Sequence, residues 1–176
     1  MDHEAPVNTI TVEPMKYNTD PAFKGIDAVK QKQKEQLTQF EAWAAQGRWG
    51  DFHHNHYDWW MFPIDTKSSY GLAWTVYEGD IARLKQDSEY IENYLKGVRL
   101  LALSWGWDLE AQDDIANPKP EQSWQQWPIR LHKAAKSLKL FGFDTEFTSL
   151  KKYATDLIKR DEDMTYNGRD LSKLFK

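Results

Sequence analysis

Three histidines and an aspartate crowd into the stretch "HHNHYDWWMFP", residues 53–63: His53, His54, His56 and Asp58. Imidazole nitrogens and carboxylate oxygens are the donors of zinc and non-haem iron sites, so the cluster could serve a small, hydrolase-like metal-dependent enzyme. On a helix, His53 and His56 are three apart and His54 and Asp58 four apart, so each pair shares a face. The two pairs point in different directions, and a single ion would need a third ligand from elsewhere in the chain. The spacing also differs from the His-Glu-x-x-His arrangement of zinc proteases. The plainer reading of the same residues is a core-forming helix end. Trp60, Met61 and Phe62 would be its buried anchors, Pro63 its stop, and the histidines hydrogen-bonded edge residues.

Other chemistry is less visible. Ser68-Ser69 lie in a loop without a Gly-x-Ser-x-Gly elbow, and there is no Gly-rich phosphate loop. Asp108, Glu110, Asp113 and Asp114 cluster without the order of a calcium loop, which points to solvated charge. Arg130, Lys133, Lys136 and Lys139 step by three along one stretch. They form a ridge opposite Leu131, Ala135 and Leu138 that reads as a solvated helix face or, more sharply, an anion-binding surface. No catalytic constellation is recognisable, and nothing calls for a cofactor. Nine Trp, eight Phe and eight Tyr are the compositional oddity. Aromatic groups at helix ends and loops would make a ligand-binding patch, for which His56, Tyr57, Trp59, Trp60, Trp124 and Trp127 are the candidates.

The elements that must position these residues are helical. Residues 1–20 show no helical period and read as an extended arm. Asp20-Pro21 supplies an N-cap and a first-turn proline for a helix running through Val29, Leu37, Phe40 and Trp43 towards Gly47. Gly50 to Pro63 makes about three turns if helical, with Phe52, His56, Trp59 and Trp60 on one side. Thr75 with Glu78 matches a capping box before a short helix carrying Ile81 and Leu84. Asp87-Ser88 opens the clearest helix, with Ile91, Tyr94, Leu95, Val98, Leu101, Ala102 and Trp105 in one stripe and Gly106 at its stop. Pro128 starts a helix ending at Gly142, and another begins near Asp144. The expectation is an all-α, single helical domain of about six helices over residues 21–160, with a charged tail at 161–176 containing an Asn167-Gly168 turn.

Composition fits that frame: 40% apolar, 28% charged, no cysteine, net charge −4. The absence of thiols removes disulfides and Cys-based zinc sites and suits a reducing cytoplasm. The acidic balance offers no overall field for nucleic acid or an anionic membrane. No run is long and apolar enough to span a bilayer, and the acidic start does not resemble a secretory signal.

The order of four segments resembles the conserved region of the opioid growth factor receptor family. "YDWWMFP" at Tyr57–Pro63 is similar to its Tyr-Ile-Gln-Trp-Leu-Phe-Pro signature, with Asp58-Trp59 in place of Ile-Gln. "AWTVYEGDIARLKQD", "LLALSWGWDLE" at Leu100–Glu110 and "IRLHKAAKSLKLFGFDTEF" at Ile129–Phe147 follow in the family's order. The likeness covers roughly residues 35–160; the family's histidine position falls at Asn55, between His54 and His56. The resemblance implies an all-helical domain and, from animal members, binding of an enkephalin-type peptide with a nuclear association. The repeats and basic tails of long animal members are absent, as in short microbial relatives. Two readings therefore stand: a helical domain that binds a peptide, protein or small molecule in an aromatic groove, and a metal-dependent enzyme built on His53–Asp58.

Overall fold

The computed structural model describes residues 14–176. The first thirteen residues of the expected arm, His3 included, lie outside them. The fold is all-α, with two two-residue hairpins as its only sheet among the described residues. In chain order the elements are α1 (Ile26–Ala45), α2 (Trp49–His54), α3 (Asp58–Met61), α4 (Glu78–Lys85), α5 (Ser88–Ser104), the pair β1 (Trp107–Asp108) and β2 (Asp113–Asp114), α6 (Pro128–Phe141), α7 (Asp144–Lys159), the pair β3 (Thr165–Tyr166) and β4 (Arg169–Asp170), and a closing 3-10 turn (Leu171–Phe175). Helix α1 packs along α5 and α6 along α7, while α4 touches α1, α5 and α6.

The long helices form where cap and stripe agree. The Asp87 carboxylate accepts from the Tyr90 N–H at 3.1 Å and fixes the start of α5. Tyr94, Val98, Leu101 and Ala102 are its buried stripe, and Gly106 follows at φ 78. A Cβ on Gly106 would stand 2.8 Å from the Gln122 carbonyl oxygen, so both the left-handed turn and the passing loop require glycine. Pro128 begins α6 and Gly142, at φ 80, ends it.

Three local expectations are corrected. Helix α1 starts at Ile26 behind Gly25, at φ 96, and not at Asp20-Pro21. Asp20 instead caps its own turn, its carboxylate accepting from Ala22 N–H at 2.8 Å. The stretch from Gly50 to Pro63 is two helices, not one, because Asn55 turns extended, at ψ 156. Its side-chain amide donates to the Asp51 carbonyl at 2.8 Å and so takes the place of the backbone bond that would carry the helix on. The start of α4 is Tyr77, whose N–H donates to Asp80 at 3.0 Å, whereas Thr75 donates its hydroxyl to the Thr66 carbonyl at 3.0 Å.

The described part of the arm lies against α4. Gly79 N–H donates to the Lys16 carbonyl at 2.8 Å, and Asn18 N–H donates to Asp80 at 2.8 Å. The buried Asn18 amide also donates to the Leu72 and Thr75 carbonyls. A Cβ on Gly79 would fall 2.4 Å from the Tyr17 ring, so the bare backbone is what lets the arm come so close. The charged segment 161–176 is packed too: Leu171 and Phe175 are buried, and the 3-10 turn sits on α6 and α7.

The core is one continuous aromatic-rich cluster. Phe40 is its hub between α1, α2 and α3, with its ring centroid 4.7 Å from Phe52, 4.6 Å from Tyr57 and 5.7 Å from Trp43. Two polar tips inside it are paired, as buried hydroxyl and indole groups require, while the Tyr90 hydroxyl has no partner among the described residues. Tyr94 donates to Ser137 Oγ at 2.8 Å, and Trp107 Nε1 donates to Ser149 Oγ at 3.1 Å.

Candidate functional site

The site follows from the break between α2 and α3. Ending α2 at His54 turns His54 and His56 to solvent and drops Tyr57 and Asp58 into the interior. Tyr57 is fully buried and donates its hydroxyl to the Phe52 carbonyl at 2.6 Å. Asp58 accepts from Arg130 Nε at 2.9 Å. Arg130, only 2% exposed, also donates to the Phe52 and Asn55 carbonyls and lies 4.2 Å from the Tyr57 ring centroid. Burial opposes its charge, but Asp58 and then Tyr57 hold the guanidinium above its usual value. The two chain ends that meet at the break are therefore bolted to α6.

This arrangement disperses the expected metal ligands. Asp58 is spent on Arg130. His53 Nε2 faces the Ser104 and Glu121 carbonyls, each at 2.9 Å, so it acts as a donor that ties α2 to the end of α5 and to the proline loop. Burial pushes its pKa down, against those two carbonyls. Among the described residues, no three His, Asp or Glu side chains lie close enough to share an ion. The basic ridge is not one uniform solvated face. Arg130 points into the core, and Lys133 and Lys136 are half-buried, so a solvated face begins only at Lys139.

What the structure does assemble is a cleft of about 660 Å³ between α3, the loop 64–70, α6 and the β3–β4 hairpin. Its aromatic walls are two edge-to-face pairs: Trp59 with Tyr70 at 4.7 Å, and Trp127 with Tyr166 at 5.3 Å. Lys133 sits on its α6 side with Nζ 4.9 Å from the Trp59 ring centroid. Burial pushes the Lys133 ammonium down, Asp58 opposes this, and Arg130 and Arg169 add to it. Lys67, Lys136 and Arg169 complete a cationic lining, with Lys136 3.4 Å from Asp65. Asp58 is the one carboxylate of the lining, and it is already engaged. Two buried nitrogens of cleft residues, Trp59 Nε1 and His132 Nδ1, have no hydrogen-bond partner among the described residues.

No family model, curated protein or solved structure matches the chain. The cleft therefore has to be read from its own residues. Of the aromatic candidates it gathers Trp59, Trp127 and His56. It does not gather Tyr57, which is core, nor Trp124, which is half-buried against Trp105 and Tyr153. Trp60 turns the other way, donating to Gln36 at 3.2 Å and packing on Trp74 at 5.4 Å. The lining also includes Tyr70, His132, Tyr166 and Arg169, which periodicity could not single out. One signal existed: an Asn-Gly turn implies a tight hairpin, and the residues flanking it, Tyr166 and Arg169, are cross-strand partners.

His132 gives the cleft an acid response. Burial first, and then Lys136 and Arg169, push its pKa down to about 4. An unfolded histidine titrates near ~6.5, so between about pH 6.5 and 4 the unfolded chain binds more protons and stability falls as pH falls. Solvent at the exposed edge of the ring screens the effect to about 1 kcal/mol. The His132→Gln variant is expected to lose part of the acid limb in a melting-temperature profile from pH 7.5 to 4. An unchanged limb would assign that limb wholly to other groups.

Proposed function

We propose that this chain is a helical interaction domain that holds a peptide or small-molecule ligand in the cleft between α3, α6 and the β3–β4 hairpin. One observation carries the reading. Trp127 is 41% exposed and Tyr70 53% exposed, and both of these costly exposures open onto the same cleft. Its size is that of an ordinary small-ligand site, and it combines apolar walls with a few polar groups in the usual way. The likeness of the Tyr57–Pro63 and Ile129–Phe147 segments to the opioid growth factor receptor conserved region supports a binding role over a catalytic one. No described helix is long and apolar enough to cross a membrane, and a membrane partner has no part in the proposal.

The test is a fragment screen followed by the indole N–H resonances in a proton–nitrogen correlation spectrum. Ligands of the cleft are expected to move the Trp59 and Trp127 signals and leave that of the fully buried Trp107 in place. A broad screen in which no fragment moves Trp59 or Trp127 selectively would remove the proposal. A metal-dependent hydrolase built on His53–Asp58 has no comparable support, since His53 and Asp58 are engaged elsewhere and His54 and His56 face solvent.

A further inference from the structure

The lining of the cleft is more specific than its shape, and this inference rests on the cleft being a ligand site. A chain with net charge −4 has concentrated Lys67, Lys133, Lys136 and Arg169 around one opening. Among the described residues the one carboxylate of the lining, Asp58, is committed to Arg130 below, and of the four cations Lys136 has a carboxylate, Asp65, within ion-pair distance. Like charges held together at a partly dry surface repel: burial pushes the Lys133 ammonium down, Asp58 opposes this, and Arg130 and Arg169 add to the push. An incoming anion relieves that repulsion. The aromatic part of the lining asks for something different. Trp59 and Trp127 each stand edge-to-face with a tyrosine, so flat rings border the same cavity as the cations.

We propose that the ligand is a small, flat aromatic molecule bearing an anionic group, its ring against Trp59 or Trp127 and its charge against Lys133 and Arg169. An indole face and a fixed cation recognise different parts of one molecule, which makes the combination selective where either alone is not. The cavity of about 660 Å³ admits a molecule up to the size of a mononucleotide. The anion can be a carboxylate or a phosphate monoester, since Lys and Arg accept both.

Four probes separate the requirements in titrations followed by the Trp59 and Trp127 indole signals. Naphthalene-2-carboxylate and adenosine monophosphate carry ring and charge, adenosine carries the ring alone, and inorganic phosphate carries the charge alone. At least one of the first two is expected to bind at least about tenfold tighter than both adenosine and phosphate. Their relative affinities tell carboxylate from phosphate as the preferred anion. In Lys133→Gln/Arg169→Gln the advantage over adenosine is expected to shrink to about twofold, with the circular dichroism spectrum unchanged. Added salt is expected to weaken the charged probes only. Equal binding of adenosine and the monophosphate, or binding of phosphate as tight as either ring-bearing anion, would overturn the inference. So would silence from both ring-bearing anions while neutral or cationic fragments still move Trp59 and Trp127. In that last case the cleft remains a ligand site of another chemistry, whereas silence from every fragment removes the site itself.

Discussion

Arg130→Met is expected to cost about 3–5 kcal/mol in urea unfolding, because it leaves the Asp58 carboxylate buried with no counter-charge. Arg130 Nε lies 2.9 Å from Asp58, and the pair is almost without solvent, at 2% and 6% side-chain exposure. Neither ion has water to fall back on. Removing both charges together is a different matter, since apolar side chains of similar volume often replace a buried pair at little net cost. Asp58→Leu/Arg130→Met is therefore expected to recover most of the loss. A residue of about 1–2 kcal/mol should remain, because the Phe52 and Asn55 carbonyls lose their donors. A double variant no more stable than the single one would show that the carbonyl contacts, not the ion pair, dominate. Arg130→Met should also broaden the Trp59 indole signal, since Trp59 follows Asp58 directly.

Phe40→Ala is the second large effect, at about 3–5 kcal/mol. The ring is fully buried and packs at once on Trp43 of α1, Phe52 of α2 and Tyr57 just before α3. Emptying its place removes the partner shared by Phe52 and Tyr57, and three rings cannot all move inward to fill one hole. Phe40→Leu keeps most of the volume and is expected to cost about 1 kcal/mol. Chemical denaturation of the two variants measures the difference. Near-equal costs would mean that α2 and α3 collapse onto the gap, and that the break between them is softer than its hydrogen bonds suggest.

Helices whose ends carry their own signal were legible in the sequence. Asp87, Pro128, Gly106 and Gly142 act within a few residues of themselves, so α5 and α6 could be placed by local chemistry. The break at Asn55 could not, because an asparagine is compatible with a helix until its amide finds the Asp51 carbonyl. Arg130 misled for a related reason. A charge every third residue looks solvated, and the reason for its burial, Asp58, lies 72 positions away. The site divides in the same manner. Trp59, Trp127, His56, Lys133 and Lys136 were legible as unusual residues, but as two separate surfaces, an aromatic patch and a basic ridge. Only the packing of α3 on α6 makes them one. Tyr70 sits in a turn and Tyr166 and Arg169 in two-residue strands, where no period marks a face.

The docking of residues 14–20 on α4 has a consequence for how the molecule opens. That contact combines hydrogen bonds from Lys16, Asn18 and Gly79 with the Tyr17 ring, which lies on Gly79 and 4.3 Å from the Arg83 guanidinium yet stays 38% exposed. The Tyr17 ring is the one large apolar group given up when it separates, so the segment is expected to open as a unit of its own before the aromatic cluster does. Asp80 makes this separation clean: it accepts from Asn18 and from Tyr77, and on release it keeps the second bond. When its cover lifts, the first turn of α4 therefore keeps the Tyr77–Asp80 bond, while Gly79 N–H and the Glu78 carboxylate exchange their Lys16 partners for water.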